Sequence, residues 1–336
     1  MKYIIFILLS LFLSSNSFSR DLEKVSLQLQ WLDQFQFAGY YMAKEKGFYK
    51  DVGLELEIKP FAYHINVVDE VLNGKSTYGI GRSSLVKHYA SGKPIVLLSA
   101  IFQSSPSILI ALKSSNIKSV KDFKNKTLML TQDYVETASI HAMIMSKSTK
   151  EDSIKFKKHT FNLEELIDGK VDLYAAYSSN EPFVLKKRKI PFIVFSPKDE
   201  GFDFYSDLLF TNEHEVIKYP QKTKNFKEAS LKGWKYAFDN INETVDFIYK
   251  NYNSQNKTKH ALLFEAQELK KLAYANNSEL GELQTKKLQR ILDIYKVMGM
   301  ANGNKTIDRL IFDDKNIYLT DKEQNYLKQK KLIPYV

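Results

Sequence analysis

Cysteine is absent from all 336 residues, which excludes disulfides and thiolate metal sites and leaves the redox compartment unreadable from cysteine usage. Long apolar runs are scarce as well: past Leu13 no stretch approaches the ~20 residues that a spanning helix needs. The six histidines, at 64, 88, 141, 159, 214 and 260, form no His-Glu-x-x-His pair and meet no tightly spaced carboxylate set, so metal catalysis has no sequence support. A Gly-x-Ser-x-Gly elbow is missing too, which removes the common serine-hydrolase arrangement. Gly79-Ile80-Gly81-Arg82-Ser83-Ser84 has part of a phosphate loop but lacks the third glycine, so it does not make a dinucleotide site. No cofactor and no metal are expected.

What is present begins with Met1–Ser19: one lysine, an apolar run from Tyr3 to Leu13, and the small-x-small triplet Ser17-Phe18-Ser19 before Arg20. That is the pattern of a secretory signal peptide. A cysteine-free exported chain suits a bacterial periplasm. The net charge of +10 raises nucleic acid or an anionic membrane as partners. Against both, the lysines are spread along the chain and interleaved with Asp and Glu. The dense run Lys186-Lys187-Arg188-Lys189 falls at a predicted helix end, where cations complement the dipole.

Without the first 19 residues, roughly 315 remain, more than the ~100–150 of a typical domain, so two lobes are expected. Val25, Leu27, Leu29 and Trp31 alternate with Ser26, Gln28 and Gln30, the period of a half-buried strand. A helix follows from about Ala38 to Gly47, and Leu54–Ile58 alternates again. A helical face over Val67, Val68, Val71 and Leu72 stops at Gly74-Lys75 before the strand Tyr78-Gly79-Ile80. The same order recurs: a helix from Asn162 with Glu165 as a capping-box partner, Gly169-Lys170, and the strand Val171–Tyr177. This echo implies two α/β lobes of related design. Strands are further expected at 95–102, 107–112, 127–131, 154–156 and 192–195, and helices at about 135–147, 222–238, 243–252, 260–275 and 285–298. The chain thus builds lobe one over 20–113, lobe two over 114–207, and returns to lobe one over 208–305. The hinge is expected near 113–116 and 205–212.

Open α/β sheets bind ligands at the carboxyl ends of their strands. Asp33-Gln34-Phe35-Gln36-Phe37, Gly79–Ser84, Phe102–Pro106, Thr131–Tyr134, Tyr177–Pro182 and Asp203–Asp207 are the loops so placed. Flat aromatics with a few placed polar groups suit a small, planar, partly polar ligand. The alternative for each aromatic is ordinary packing. Arg82 either pairs with an anionic ligand group or is solvated, and Asn180 and Asp133 read as helix caps.

These segments carry a resemblance. Gln30-Trp31, Gln34–Tyr41, Gly47–Lys50, Gly92-Lys93-Pro94, Phe102-Gln103, Ser179–Phe183, Asp203–Tyr205 and Leu209–Thr211 are together similar to the periplasmic solute-binding proteins related to thiamine-pyrimidine synthase. The resemblance runs from about Val25 to Met300. It implies a type II periplasmic-binding-protein architecture of two lobes with a hinge and a helical C-terminal part, closing on a pyrimidine-type thiamine precursor, a sulfonate or another small solute. The partner would be the permease of an ABC transporter or a sensor kinase or cyclase-type module. Trp31, Gln34, Gln36, Tyr40, Arg82, Ser83 and Gln103 are expected to contact the ligand from lobe one, and Gln132, Tyr177, Asn180 and Glu181 from lobe two. The alternative is the single-turnover synthase itself, which holds pyridoxal phosphate on a lysine and consumes a histidine four residues on. Here Gly81 and Leu85 stand at those places, and Lys87 and His88 are adjacent, so on a helix they diverge by about 100°. The resemblance therefore implies binding without catalysis. Ile317–Val336 is similar to the lead-in to a second binding module of multidomain sensors; a cut receptor, a remnant and a plain surface helix are the readings of 306–336.

Overall fold

The computed structural model describes residues 21–147, 153–302 and 306–313; the expected signal peptide and the stretch after 313 lie outside them. The first unit runs β1 (Glu23–Gln28), α1 (Ala38–Glu45), α2 (Phe48–Asp51), β2 (Leu54–Lys59), α3 (Val67–Leu72), β3 (Tyr78–Gly81), α4 (Ser84–Ala90) and β4 (Ile95–Phe102). The second runs β5 (Ser107–Leu112), β6 (Thr127–Leu130), α5 (Ala138–Ser146), β7 (Lys155–Lys158), α6 (Glu164–Ile167), β8 (Leu173–Tyr177), α7 (Glu181–Lys187) and β9 (Phe192–Phe195). The chain then returns through β10 (Ser206–Asn212), α8 (Glu213–Lys218), α9 (Pro220–Asp239), α10 (Ile241–Asn251), α11 (Lys259–Ala273) and α12 (Thr285–Val297).

Two five-stranded sheets result, ordered β2-β1-β3-β10-β4 and β7-β6-β8-β5-β9. In each, three strands are parallel and the strand that has just crossed from the other lobe, β10 or β5, enters antiparallel between two others. The sheets are thus built alike, and the echo in sequence marks equivalent parts. Gly74 before β3 and Gly169 before β8 both sit in the left-handed region, at φ 70° and 72°, where glycine adds no steric cost.

Two boundaries differ from expectation. The strand Ser107–Leu112 pairs with β8 and β9, so the first crossing lies between Phe102 and Ser107 rather than at 113–116. Its run of buried Ile108, Leu109 and Ile110 resembles that of β4, and a strand covered on both faces does not reveal in sequence which sheet it joins. The return crossing ends before Ser206, because Ser206 already pairs with Phe102. Residues 306–313 are no separate extension: Leu97 donates to Leu310 at 2.7 Å and Phe312 to Leu97 at 2.8 Å, capping the open edge of β4 with buried Ile307 and Leu310.

In lobe one, α1 lies directly on α9. A Cβ on Gly39 would lie 2.1 Å from the Trp234 ring, and one on Gly233 would lie 2.2 Å from the Gly39 carbonyl oxygen. Both glycines are therefore set by backbone approach. Replacing Gly39 with alanine is expected to destabilise the protein by about 1–3 kcal/mol, the usual cost of overpacking, read as a lower melting temperature in circular dichroism; an unchanged melt would refute the close contact.

Candidate functional site

The loop that follows β1 carries alternating amides and aromatics, and tertiary packing buries both. Phe35 and Phe37 enter the lobe-one core while Gln34 and Gln36 are enclosed beside it. An enclosed amide must find partners, and these form a chain. Lys257 Nζ donates to Gln34 Oε1 at 2.6 Å, Gln34 Nε2 to Gln36 Oε1 at 2.5 Å, and Gln36 Nε2 to Asp207 Oδ1 at 2.8 Å. Gln30 Nε2 reaches the same oxygen at 3.0 Å, and the Ser206 hydroxyl donates to Oδ2 at 2.9 Å. Asp207 has no exposed surface, and burial pushes its carboxyl up to about 6 against the donors that favour the charged form.

Lobe two meets this floor from the ends of its strands. Arg82, just past β3, donates from Nε to the Tyr177 hydroxyl at 3.0 Å and from Nη1 to Glu136 Oε2 at 3.4 Å. Burial alone would lower the pKa of Arg82, but Tyr177, Glu136 and Asp207 together raise it, so it stays charged. Asp133 caps the turn before α5 through the Val135 and Glu136 amides, both at 3.1 Å, which positions Glu136. Glu181 accepts from the Tyr177 amide at 2.9 Å, and burial raises its pKa. Asn180 Oδ1 accepts from Lys257 at 2.8 Å. It stands at the helix start, as a cap would, yet makes no side-chain cap bond.

An aromatic group also spans the lobes. Trp31 sits 5.1 Å from Phe61 and 6.4 Å from Tyr63 in its own lobe, and 5.2 Å from Phe161 of lobe two, measured between ring centroids. Phe161 holds φ 60°, a region uncommon for a bulky residue, and is fastened by its amide to His159 Nδ1 at 2.9 Å.

The expected contacts divide accordingly. Trp31, Gln34, Gln36, Arg82, Tyr177, Asn180 and Glu181 converge where the lobes meet. Tyr40 does not: it is wholly buried with its ring 5.7 Å from Trp234, because its helix face is the one laid on α9. Gln103 is turned away, its Nε2 spent on the Ala100 and Glu282 carbonyls at 3.0 and 2.9 Å. Ser83 is buried with its hydroxyl on the Tyr205 carbonyl at 2.9 Å, and Gln132 is exposed. Glu136, Lys257, Glu265 and Phe161 were missed, and Asp207 was named only as the end of the cleft loop Asp203–Asp207. Glu265 left a trace, since it shares one helical face with Leu262, Ala266 and Leu269, and a carboxylate on an apolar stripe requires a buried cation.

Two α/β lobes joined by two adjacent crossings, with polar and aromatic strand ends facing each other, define the periplasmic-binding-protein fold. The aliphatic sulphonate binding protein SsuA of Escherichia coli shares it, with a TM-score of 0.67 at 11% identity over 87% of this chain and 92% of that one. Residues 34–244 match the family described as NMT1/THI5 like, and the chain belongs to that family. The riboflavin-binding protein RibY of Chloroflexus aurantiacus is 23% identical over 235 residues, which are 67% of this chain and 65% of that protein. The formylaminopyrimidine-binding protein of Halalkalibacterium halodurans is 24% identical over 267 residues, 76% of this chain and 80% of that protein.

A Schiff-base lysine would stand at Gly81, where a Cβ would meet Leu85 Cδ1 at 2.8 Å. Leu85, at the histidine place, is fully buried, so these residues do not fit pyridoxal phosphate. Among the described residues no group of three or more histidines or carboxylates could hold a metal, and no helix is long and apolar enough to cross a membrane.

The raised pKa of Asp207 has a definite consequence for stability. Its folded value of about 6 exceeds the ordinary 3.8, so the folded state holds the proton more tightly. Stability from this group is full below pH 4 and is lost as pH rises through 6, by about 3 kcal/mol. Asn tolerates the positive φ of position 207, so Asp207→Asn is the reference. Denaturant melts from pH 4 to 7 should show the wild type losing stability relative to Asp207→Asn; parallel curves would refute the shift.

Proposed function

We propose that this chain is an exported solute-binding protein that takes a small planar heteroaromatic ligand between its lobes and hands it to an ABC importer. The observation that carries this reading is the pairing of aromatic and acidic groups at the junction of the lobes. Trp31, Phe61 and Phe161 offer ring faces. Around the amides and Tyr177 lie the carboxylates of Asp207, Glu136, Glu181 and Glu265, against the cations Arg82 and Lys257.

Charge decides between ligand classes. A sulfonate needs uncompensated cations or free backbone donors, whereas Arg82 and Lys257 are already paired with carboxylates. A neutral or protonated heterocycle bearing N–H donors fits an acceptor-rich cleft and stacks on Trp31. The names of two relatives, riboflavin-binding and formylaminopyrimidine-binding, agree with this class. The synthase reading is disfavoured by Gly81 and Leu85. A sensor role rests on the stretch after 313, outside the described residues.

Calorimetric titration with formylaminopyrimidine, riboflavin and the sulfonate MOPS tests the class. Saturable binding of a heterocycle with none of MOPS is expected, and the reverse order would overturn it. Trp31→Ala should weaken the bound heterocycle about tenfold or more, at least ~1.4 kcal/mol, while the melting temperature of the unliganded protein stays near that of the wild type. A collapse in stability with unchanged affinity would make Trp31 a packing residue. Added pyridoxal phosphate should give no lysine-dependent Schiff-base absorbance.

A further inference from the structure

At one end of the amide chain, Lys257 bonds to side chains of both lobes. An ammonium has three donors, and here each has an acceptor: Gln34 Oε1 at 2.6 Å, Asn180 Oδ1 at 2.8 Å and Glu265 Oε2 at 3.0 Å. Gln34 and Glu265 belong to lobe one, whereas Asn180 stands at the end of β8 in lobe two. Opening the lobes would keep the bonds to Gln34 and Glu265 and break the one to Asn180.

The lysine is held in place before it is used. It lies in the short loop between α10 and α11, where its amide donates to Asn253 Oδ1 at 2.8 Å and its carbonyl accepts from Asn253 Nδ2 at 3.0 Å. Asn256 adopts φ 53°, a conformation asparagine accepts more readily than most residues, which turns the loop tightly. Glu265 is fully buried and also accepts from the Gln36 backbone N–H at 3.1 Å, so the lysine cannot leave without stranding a buried carboxylate. Because Lys257 offers only donors, Gln34 must present its oxygen to it. The Gln34 nitrogen then faces Gln36, and the Gln36 nitrogen faces Asp207. The cation at this end and the Asp207 carboxylate at the other thus favour the same orientation of both amides.

We infer that Lys257 is a positioning residue that couples lobe closure to the cleft: its ammonium orients the amides of Gln34 and Gln36 and captures Asn180 when lobe two swings shut. This rests on the two-lobed binding reading above. It adds a specificity element, because the ligand meets amides whose donor and acceptor ends are already assigned. Neighbouring contacts between the lobes assist: Phe183 lies 5.5 Å from Phe264, and Lys186 lies over the same ring at 5.1 Å. They place α7 against α11 but assign no amide.

The absence of cysteine makes the test direct. Glu55→Cys on β2 and Lys158→Cys on β7, both exposed, accept a spin label in each lobe, and pulsed dipolar spectroscopy then reads lobe separation in the unliganded protein. Asn180→Leu removes the lobe-two acceptor without touching Glu265. The pair Lys257→Met with Glu265→Gln removes the cation without stranding the carboxylate. Both are expected to move the distance distribution to longer values while the melting temperature stays within a few degrees of the parent. Asn180→Asp, which gives the ammonium a charged partner, is expected to move it to shorter values. Distributions that coincide with the parent in all three variants overturn the inference. Since no ligand is present, failure of formylaminopyrimidine or riboflavin to bind would strike the ligand class and leave this result standing.

Discussion

A carboxylate with no exposed surface must be surrounded by donors, and Asp207 imposes that condition at the place where the chain re-enters lobe one. It lies at the start of β10, the strand that threads between β3 and β4. Its donors are drawn from the loop after β1, through Gln30 and Gln36, and from Ser206 beside it. Leaving such a group without partners costs several kcal/mol. The loop and the returning strand are thereby tied into one unit, although Gln36 and Asp207 are 171 residues apart in sequence.

From that tie the rest of the cleft follows. Once Gln36 donates to Asp207, its oxygen is available to Gln34, whose own oxygen turns to Lys257. Arg82 balances the same neighbourhood from the end of β3 and reaches across to Tyr177 and Glu136. The crossing segments lie side by side because β5 and β10 occupy the same place in equivalent sheets. A second carboxylate fastens them at the rear: Asp203 accepts from Ser104 of one crossing at 3.1 Å and from Lys287 of α12 at 2.8 Å. Rotation about these crossings would open or close the face where Trp31 meets Phe161.

In the candidate cleft the amides of Gln30, Gln34, Gln36 and Asn180 stand among charged groups that are themselves hydrogen-bonded. Amides can be oriented by their neighbours without adding net charge, and each one turned by a lysine or a carboxylate becomes a defined donor or acceptor. A binding protein benefits from that arrangement because its partners are satisfied in the closed form and the specificity of the cleft is set before a ligand arrives. Fold alone does not carry this conclusion, since the same architecture serves many solutes; the oriented amides of Gln34 and Gln36 do.

Local pattern was enough to read the strand and helix order, the doubled α/β design and the loops at the strand ends, because two- and 3.6-residue periods and glycine stops are properties of neighbouring residues. The amides of Gln34 and Gln36 and the ring of Trp31 were legible for the same reason: an amide-rich, aromatic loop after a strand is conspicuous in a short window. Tyr40 and Gln103 were misjudged because sequence shows which residue types stand in a loop or helix but not which face packs inward. The sheet membership of Ser107–Leu112 was hidden by a uniformly apolar run. Glu136, Lys257 and Glu265 became site residues only through tertiary structure, which also gave Asp207, already on a cleft loop, its partners. Their meaning lies in contacts such as Lys257 with Asn180 or Asp207 with Gln36, which long-range burial creates and no local spacing encodes.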